Sequence, residues 1–142
     1  YEVRIDSDFV GTMRACAQRP QTWISEVLIE AYGELHRLGY AHSVEVVESS
    51  EVTGGLYGVA LGGAFFGESM FQRQPDRAKV ALAHCARRLA ERGYVLWDTQ
   101  YYTPHLGTFG GQEIGRLDYE RQLEAALRLS TWFGATPPQP LS

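Results

Sequence analysis

The chain has no basic excess: 13 Lys and Arg stand against 17 Asp and Glu, a formal charge of −4 over 142 residues. A domain that grips nucleic acid by bulk electrostatics needs a strong positive balance. That class is excluded, although a local basic patch is not. Cysteine is scarce, with only Cys16 and Cys85, and neither stands in a CxxC or metal-ligand spacing. Both fall on predicted helices and read as small buried apolar residues of a reducing compartment. No run is long and apolar enough to span a membrane, and no secretory signal is visible. His36 and His42 flank a predicted helix end and His84 is mid-helix, so no pair has zinc-like spacing and no metal is expected. There is no Walker or GxGxxG loop opening a helix, and Ser69 lacks the G-x-S-x-G elbow of a hydrolase nucleophile.

What is present centres on GGLYGVALGGAFFGESMFQR, residues 54–73. Glycines at this density usually make a linker, but linkers do not carry Leu56, Tyr57, Val59, Leu61, Phe65 and Phe66 between them. The pattern predicts two strands joined at Gly62-Gly63, a dipeptide suited to a tight hairpin. Glu68 and Ser69 then stand at the end of an apolar strand, where a carboxylate needs a partner or has a task. The size suits one domain with one sizeable core. The start at Tyr1 rather than Met points to a fragment or a processed product.

In chain order, Tyr1–Asp8 alternates loosely and predicts an edge strand, and residues 9–18 a short helix ended by Arg19-Pro20. Thr22 is the expected N-cap of a second helix, with Glu26 in its early turns. Trp23, Val27, Leu28, Ala31, Leu35 and Leu38 form its expected apolar face, and Gly39 its C′ residue. Ser43–Val47 reads as a strand and Glu48–Glu51 as a polar turn. Pro75-Asp76 opens a third helix, with Asp76 as N-cap; Ala78, Ala81, Leu82, Cys85, Leu89 and Ala90 are its stripe, and Gly93 closes it. Tyr94–Trp97 is a short buried strand, residues 101–111 a loop, and 118–129 a last helix. The domain is expected to span 1–135, followed by a Pro-rich tail, 136–142. The fold class is therefore α/β (α+β): a mixed, mostly antiparallel sheet flanked by helices, with one parallel pair around the crossover helix.

Strand ends in such a sheet are the usual place for a ligand crevice. They bring Asp98, Thr99 and Gln100 from one strand towards Glu68 and Ser69 from another. Asp98 and Gln100 point to the same side of an extended chain, where an acid and an amide can polarise each other. With Glu68 opposite, the two carboxylates can bind an ammonium group and guide its proton away. The same spacing also suits Asp98 as a turn cap and Gln100 as a partner for backbone groups. Trp23, Tyr32, Phe65, Phe66 and Trp97 suit a stacking pocket or an ordinary core. His105 after Pro104 suits a general base or a structural loop residue. Arg73, Arg77 and Lys79 around the third helix start suit a phosphate site or a solvated face.

Four segments then carry a resemblance over most of residues 9–120: 22–46, 54–73, 76–82 and 96–119, the last beginning LWDTQYYTPHLG. GLYGV…FFGESMF followed by D-x-Q-x-x-x-x-H is similar to the leucyl/phenylalanyl-tRNA–protein transferases. The resemblance implies an acetyltransferase-like (GNAT) domain in a bacterial, cytoplasmic enzyme. It implies transfer of leucine, phenylalanine or methionine from aminoacyl-tRNA to proteins with N-terminal Arg or Lys, creating an N-degron, without metal or cofactor. It implies that Asp98 polarises Gln100 to draw a proton from the attacking amine, with Glu68 near the reacting centre. Leu56, Phe65, Cys85 and Leu89 match the lining of the aminoacyl pocket, Trp23 and Tyr32 the seat of the terminal adenosine, and Ser69 and Thr103 further substrate contacts. Arg73, Arg77 and Lys79 are weaker candidates for tRNA contact, and a monomer is expected. The family's N-terminal domain would precede Tyr1, and the GQEIG segment lacks the family's usual Pro-Arg. A non-catalytic module binding basic N-termini or aminoacyl-adenosine is the other reading, or a ligase acting on a small-molecule amine.

Overall fold

The computed structural model describes residues 1–18, 22–99 and 114–140. The strands are β1 (Glu2–Ile5), β2 (Ala41–Glu48), β3 (Glu51–Leu61), β4 (Ala64–Gln72) and β5 (Leu96–Asp98); the helices are α1 (Phe9–Cys16), α2 (Glu26–Arg37), α3 (Arg77–Glu91) and α4 (Arg116–Leu127). One sheet runs in the order β1-β2-β3-β4-β5. Its first three pairs are antiparallel and β4–β5 is parallel, with α3 as the crossover.

The alternation of β2 sorts the two faces. Val44 and Val46 join Leu56, Ala60, Phe65 and the α3 residues Leu82, Cys85 and Leu89 in one buried cluster. Ala41 and Tyr57 look the other way, onto Phe9 and Met13 of α1 and Ile29 of α2. The sheet is thus covered on both faces. Phe133, beyond α4, is fully buried against Phe65 with ring centroids 5.1 Å apart. Among the described residues no helix is long and apolar enough to cross a membrane.

The turn chemistry follows the expected residues. Gly62-Gly63 joins β3 to β4 in a two-residue turn with Gly62 at φ +54°, where a Cβ would lie 2.6 Å from the Ala126 carbonyl oxygen. Gly39 and Gly93 are left-handed C′ residues, and the following amides, Tyr40 and Tyr94, donate to Leu35 O and Leu89 O at 2.8 and 2.9 Å.

Several expectations are corrected. The N-cap of α2 is Ser25, whose Oγ accepts from the Leu28 amide at 3.3 Å; Thr22 instead accepts from the Ile24 amide. The helix therefore starts later, and Trp23 precedes it at 53% exposure while Val27 is 75% exposed. Its covered face keeps the expected Leu35 but runs through Ile29, Tyr32 and His36 as well, because the ring of His36 stacks on Phe9 at 4.6 Å and Tyr32 meets Tyr57. Asp76 stands at the start of α3 but is left-handed and makes no capping bond; Gln72 Oε1 accepts from the Ala78 amide in its place. Strand β5 is Leu96–Asp98 rather than Tyr94–Trp97, because Gly63 O first captures the Val95 and Leu96 amides.

Candidate active site

Strands β4 and β5 pair only as far as Phe66 opposite Asp98, after which β5 ends and β4 continues to Gln72. The gap beyond the last pair is a crevice. Just there β4 carries a bulge: Gly58 faces Gly67 and Tyr57 faces Ser69, so Glu68 is the unmatched residue. A bulge re-aims a side chain at a sheet opening. A cleft of about 30 Å³ is floored by Leu56 and Phe65, with Glu68 and Ser69 on one wall and Trp97 and Thr99 on the other. Gly67 lets the Trp97 indole close in, since a Cβ there would stand 3.3 Å from Nε1. That buried Nε1 has no hydrogen-bond partner among the described residues.

The two carboxylates at this end of the sheet, Asp98 and Glu68, each meet a tyrosine from a flanking helix. Tyr119 Oη of α4 donates to Asp98 Oδ2 at 2.6 Å, within the range of a charge-assisted O–H···O⁻ bond. That bond, with some burial and the Asp98 charge, pushes the Tyr119 phenol up to about 12. Tyr32 of α2 donates to Glu68. Burial first, and then the Glu68 charge and bond, hold its phenol above the ordinary value. Tyr119 was not among the sequence candidates: it is 21 residues from Asp98 in the chain, and no spacing rule links a strand-end acid to a later helix.

The other candidates divide by depth. Leu56 and Phe65 form the crevice floor. Cys85 and Leu89 lie in the core on the α3 side, and burial pushes the Cys85 thiol up to about 12, so it is an inert packing group. Trp23 is exposed ahead of α2. Gln100, Thr103 and His105 lie outside the described residues. Arg77 is held by Glu48 through two bonds of 2.8 Å. Arg73 stacks over Phe71 beside an open cavity of about 370 Å³ that Gln18 and Ala78 also line. Lys79 is exposed, 3.6 Å from Asp76.

The structure also brings together what spacing left apart. Asp6, His36 and His42 place ligand-type atoms within 4.8 Å of one another. His42 Nδ1 lies 2.8 Å from Asp6 Oδ2 and Nε2 lies 2.8 Å from Gly39 O, while His36 Nδ1 lies 2.8 Å from Ala41 O. These polar atoms already hold one another, so the cluster clasps the end of β1 to the start of β2.

Comparison with known proteins places this architecture. A family profile described as leucyl/phenylalanyl-tRNA protein transferase matches residues 1–124. A leucyl/phenylalanyl-tRNA–protein transferase of Rubrobacter xylanophilus is 57% identical over 134 residues, covering 94% of this chain and 70% of the relative. That of Ruegeria pomeroyi is 50% identical over 98% of this chain and 66% of the relative, and that of Hyphomonas neptunium 48% over 99% and 57%. The chain thus spans roughly 57 to 70% of the length of these relatives. Among solved structures, an aminoglycoside acetyltransferase from an uncultured soil sample superposes with a TM-score of 0.51 at 9% identity, covering 99% of this chain and 92% of that one. A ribosomal-protein-alanine N-acetyltransferase from Brucella melitensis gives 0.52 at 11%, covering 96% and 98%. At that identity the likeness concerns the fold, which is of the GNAT acetyltransferase type.

Proposed function

Because the chain belongs to the leucyl/phenylalanyl-tRNA–protein transferase family, we propose that it moves leucine, phenylalanine or methionine from aminoacyl-tRNA to the α-amino group of proteins beginning with Arg or Lys. The observation that supports this reading is the pair of carboxylates where β4 and β5 part: Asp98 in the last pair and Glu68 at the bulge just beyond it.

The amine nitrogen attacks the ester carbonyl carbon, an amide bond forms, and the bond to the tRNA ribose oxygen breaks. One proton must leave the amine and one must reach the departing oxygen. The ester is already activated, so the protein has to orient two reactants and manage that proton. Glu68 suits the incoming ammonium group, and Asp98 acting on Gln100 draws the proton. Leu56 and Phe65 take the aminoacyl side chain, with Cys85 and Leu89 setting the depth beneath it. Tyr32 and Trp23 hold the terminal adenosine, the exposed indole by stacking, and Ser69 and Thr103 add polar contacts. Arg73 and Lys79 offer a local basic patch to the tRNA backbone, and Arg77, tied to Glu48, shapes it. The protein acts as a cytoplasmic monomer, and its product is an N-degron.

The test is transfer of labelled leucine from leucyl-tRNA to a peptide beginning with Arg, with the same peptide beginning with Ala as control. Arg-dependent labelling is expected, and Asp98→Ala abolishes it while leaving the circular dichroism spectrum unchanged. Full activity in that variant removes the role given to Asp98. Binding of aminoacyl-adenosine without transfer favours a binding module.

A further inference from the structure

We infer that Tyr119 is a positioning residue that fixes the plane of the Asp98 carboxylate for the transfer reaction; the inference rests on the catalytic role proposed for Asp98. Asp98 is the last residue of β5 to pair with β4. The ladder therefore fixes its backbone, whereas the torsion that turns an Asp carboxylate about Cβ–Cγ is broad and soft. Something else must set the direction of its oxygens. Tyr119 does so through Oδ2 at 2.6 Å, and setting the Oδ2 direction sets that of Oδ1.

The donor is itself rigid. The Tyr119 ring packs on the small buried cluster of Ala64, Leu96 and Ala126. The last turn of α4 is tied to the hairpin, where the Gly63 amide donates to Ala126 O at 2.6 Å and Thr131 Oγ1 to Gly62 O. The hairpin tip that starts β4 and the helix that holds Asp98 are thus one packed unit. Tyr119 does not serve as the proton donor or acceptor of the reaction: a phenol that ionises only near 12 is far from the neutral range in which an acid–base group works. It stays protonated and donates one fixed bond.

The experiment compares wild type, Tyr119→Phe, Asp98→Asn and the double variant in leucine transfer. Tyr119→Phe keeps the ring and its packing. Its kcat is expected to fall roughly 10- to 100-fold, the range for a reacting group held slightly out of place, while KM for leucyl-tRNA stays within about twofold. The double variant is expected to be no slower than Asp98→Asn, because a positioning residue has nothing left to position. A wild-type rate for Tyr119→Phe, or an equal further loss in the Asp98→Asn background, overturns the inference while leaving the proposed function standing. An Asp98→Asn variant as fast as wild type overturns the role of Asp98 and the inference with it.

A readout without turnover separates the two if the chain transfers nothing. Carbon-13 NMR of the Tyr119 Cζ at pH 10.5 should show a protonated phenol in wild type and a substantially ionised one in Asp98→Asn. The same state in both overturns the coupling.

Discussion

Arg77 and Glu48 form a two-pronged ion pair, Nε and Nη2 each 2.8 Å from a carboxylate oxygen, that ties the first turn of α3 to the end of β2. The Arg77 bonds, aided by Thr53, hold the Glu48 carboxyl down to about 2. A depressed folded value means stability present above the unfolded value near 4.5 and lost as pH falls towards 2. Wild type should therefore have a higher Tm than Glu48→Gln at pH 6, and the gap should narrow steadily between pH 4.5 and 2. A gap independent of pH would show that the pair contributes nothing through its charge.

Phe133 closes the core from outside the regular elements. It is fully buried, stacks on Phe65 and leans on His42, and Arg88 both caps its carbonyl at 2.7 Å and lies over its ring at 5.2 Å. Phe133→Ala should cost about 3–5 kcal/mol in urea unfolding. A loss under 1 kcal/mol would mean that the segment is not part of the cooperative unit.

Two glycines should respond in opposite directions to alanine. Gly33 lies inside α2, where among the described residues an added Cβ meets only Val10 Cγ2 at 3.9 Å, so Gly33→Ala should stabilise by about 0.5–1 kcal/mol. At Gly58 a Cβ would stand 2.5 Å from Phe66 O and 2.6 Å from the Phe65 ring. Gly58→Ala should lower Tm markedly, because the bulge beside Glu68 has no room to yield. Equal effects at the two sites would contradict this packing.

Glu45 is a fully buried carboxylate without a basic partner among its described bonds. It accepts from Ser7 N at 3.2 Å, Ser7 Oγ at 3.0 Å and Thr12 Oγ1 at 2.9 Å, so β2 holds the β1–α1 connection from inside. Glu45→Gln replaces one acceptor by a donor against these groups. It should cost about 1–3 kcal/mol, read by chemical denaturation, although its volume barely changes. An unchanged midpoint would mean that the loop re-pairs elsewhere.

The sequence was legible where its signals are local. Gly62-Gly63, Gly39 and Gly93 each announce a backbone conformation that few other residues adopt, and all lie where expected. The covered face of α2 was misread in part: Leu35 packs on the core as expected, but hydropathy ranks Trp23 and Val27 above His36, while the sheet accepts the histidine by stacking it on Phe9. Glu68 and Asp98 could be named from strand ends alone. Tyr32 could be named only as an aromatic candidate and Tyr119 not at all, since their bonds to Glu68 and Asp98 are decided by how α2 and α4 pack across the sheet. Glycines inside a strand, here Gly58 and Gly67, often mark a bulge, and one is present; that it leaves Glu68 unmatched depends on how β3 and β4 pair.

That bulge gives the hairpin one place where its length is negotiable. Glu68 is the residue of β4 that faces no residue of β3, and beyond it the pairs resume with Ser69 opposite Tyr57 and Gln72 opposite Gly54. Deleting Glu68 would therefore leave the later side chains on their own faces, with Gln72 still placed to accept from the Ala78 amide. Deleting a paired residue of the arm instead, such as Phe65, would have to shift its neighbours out of register. The spare position in the count is thus also the one that carries the carboxylate.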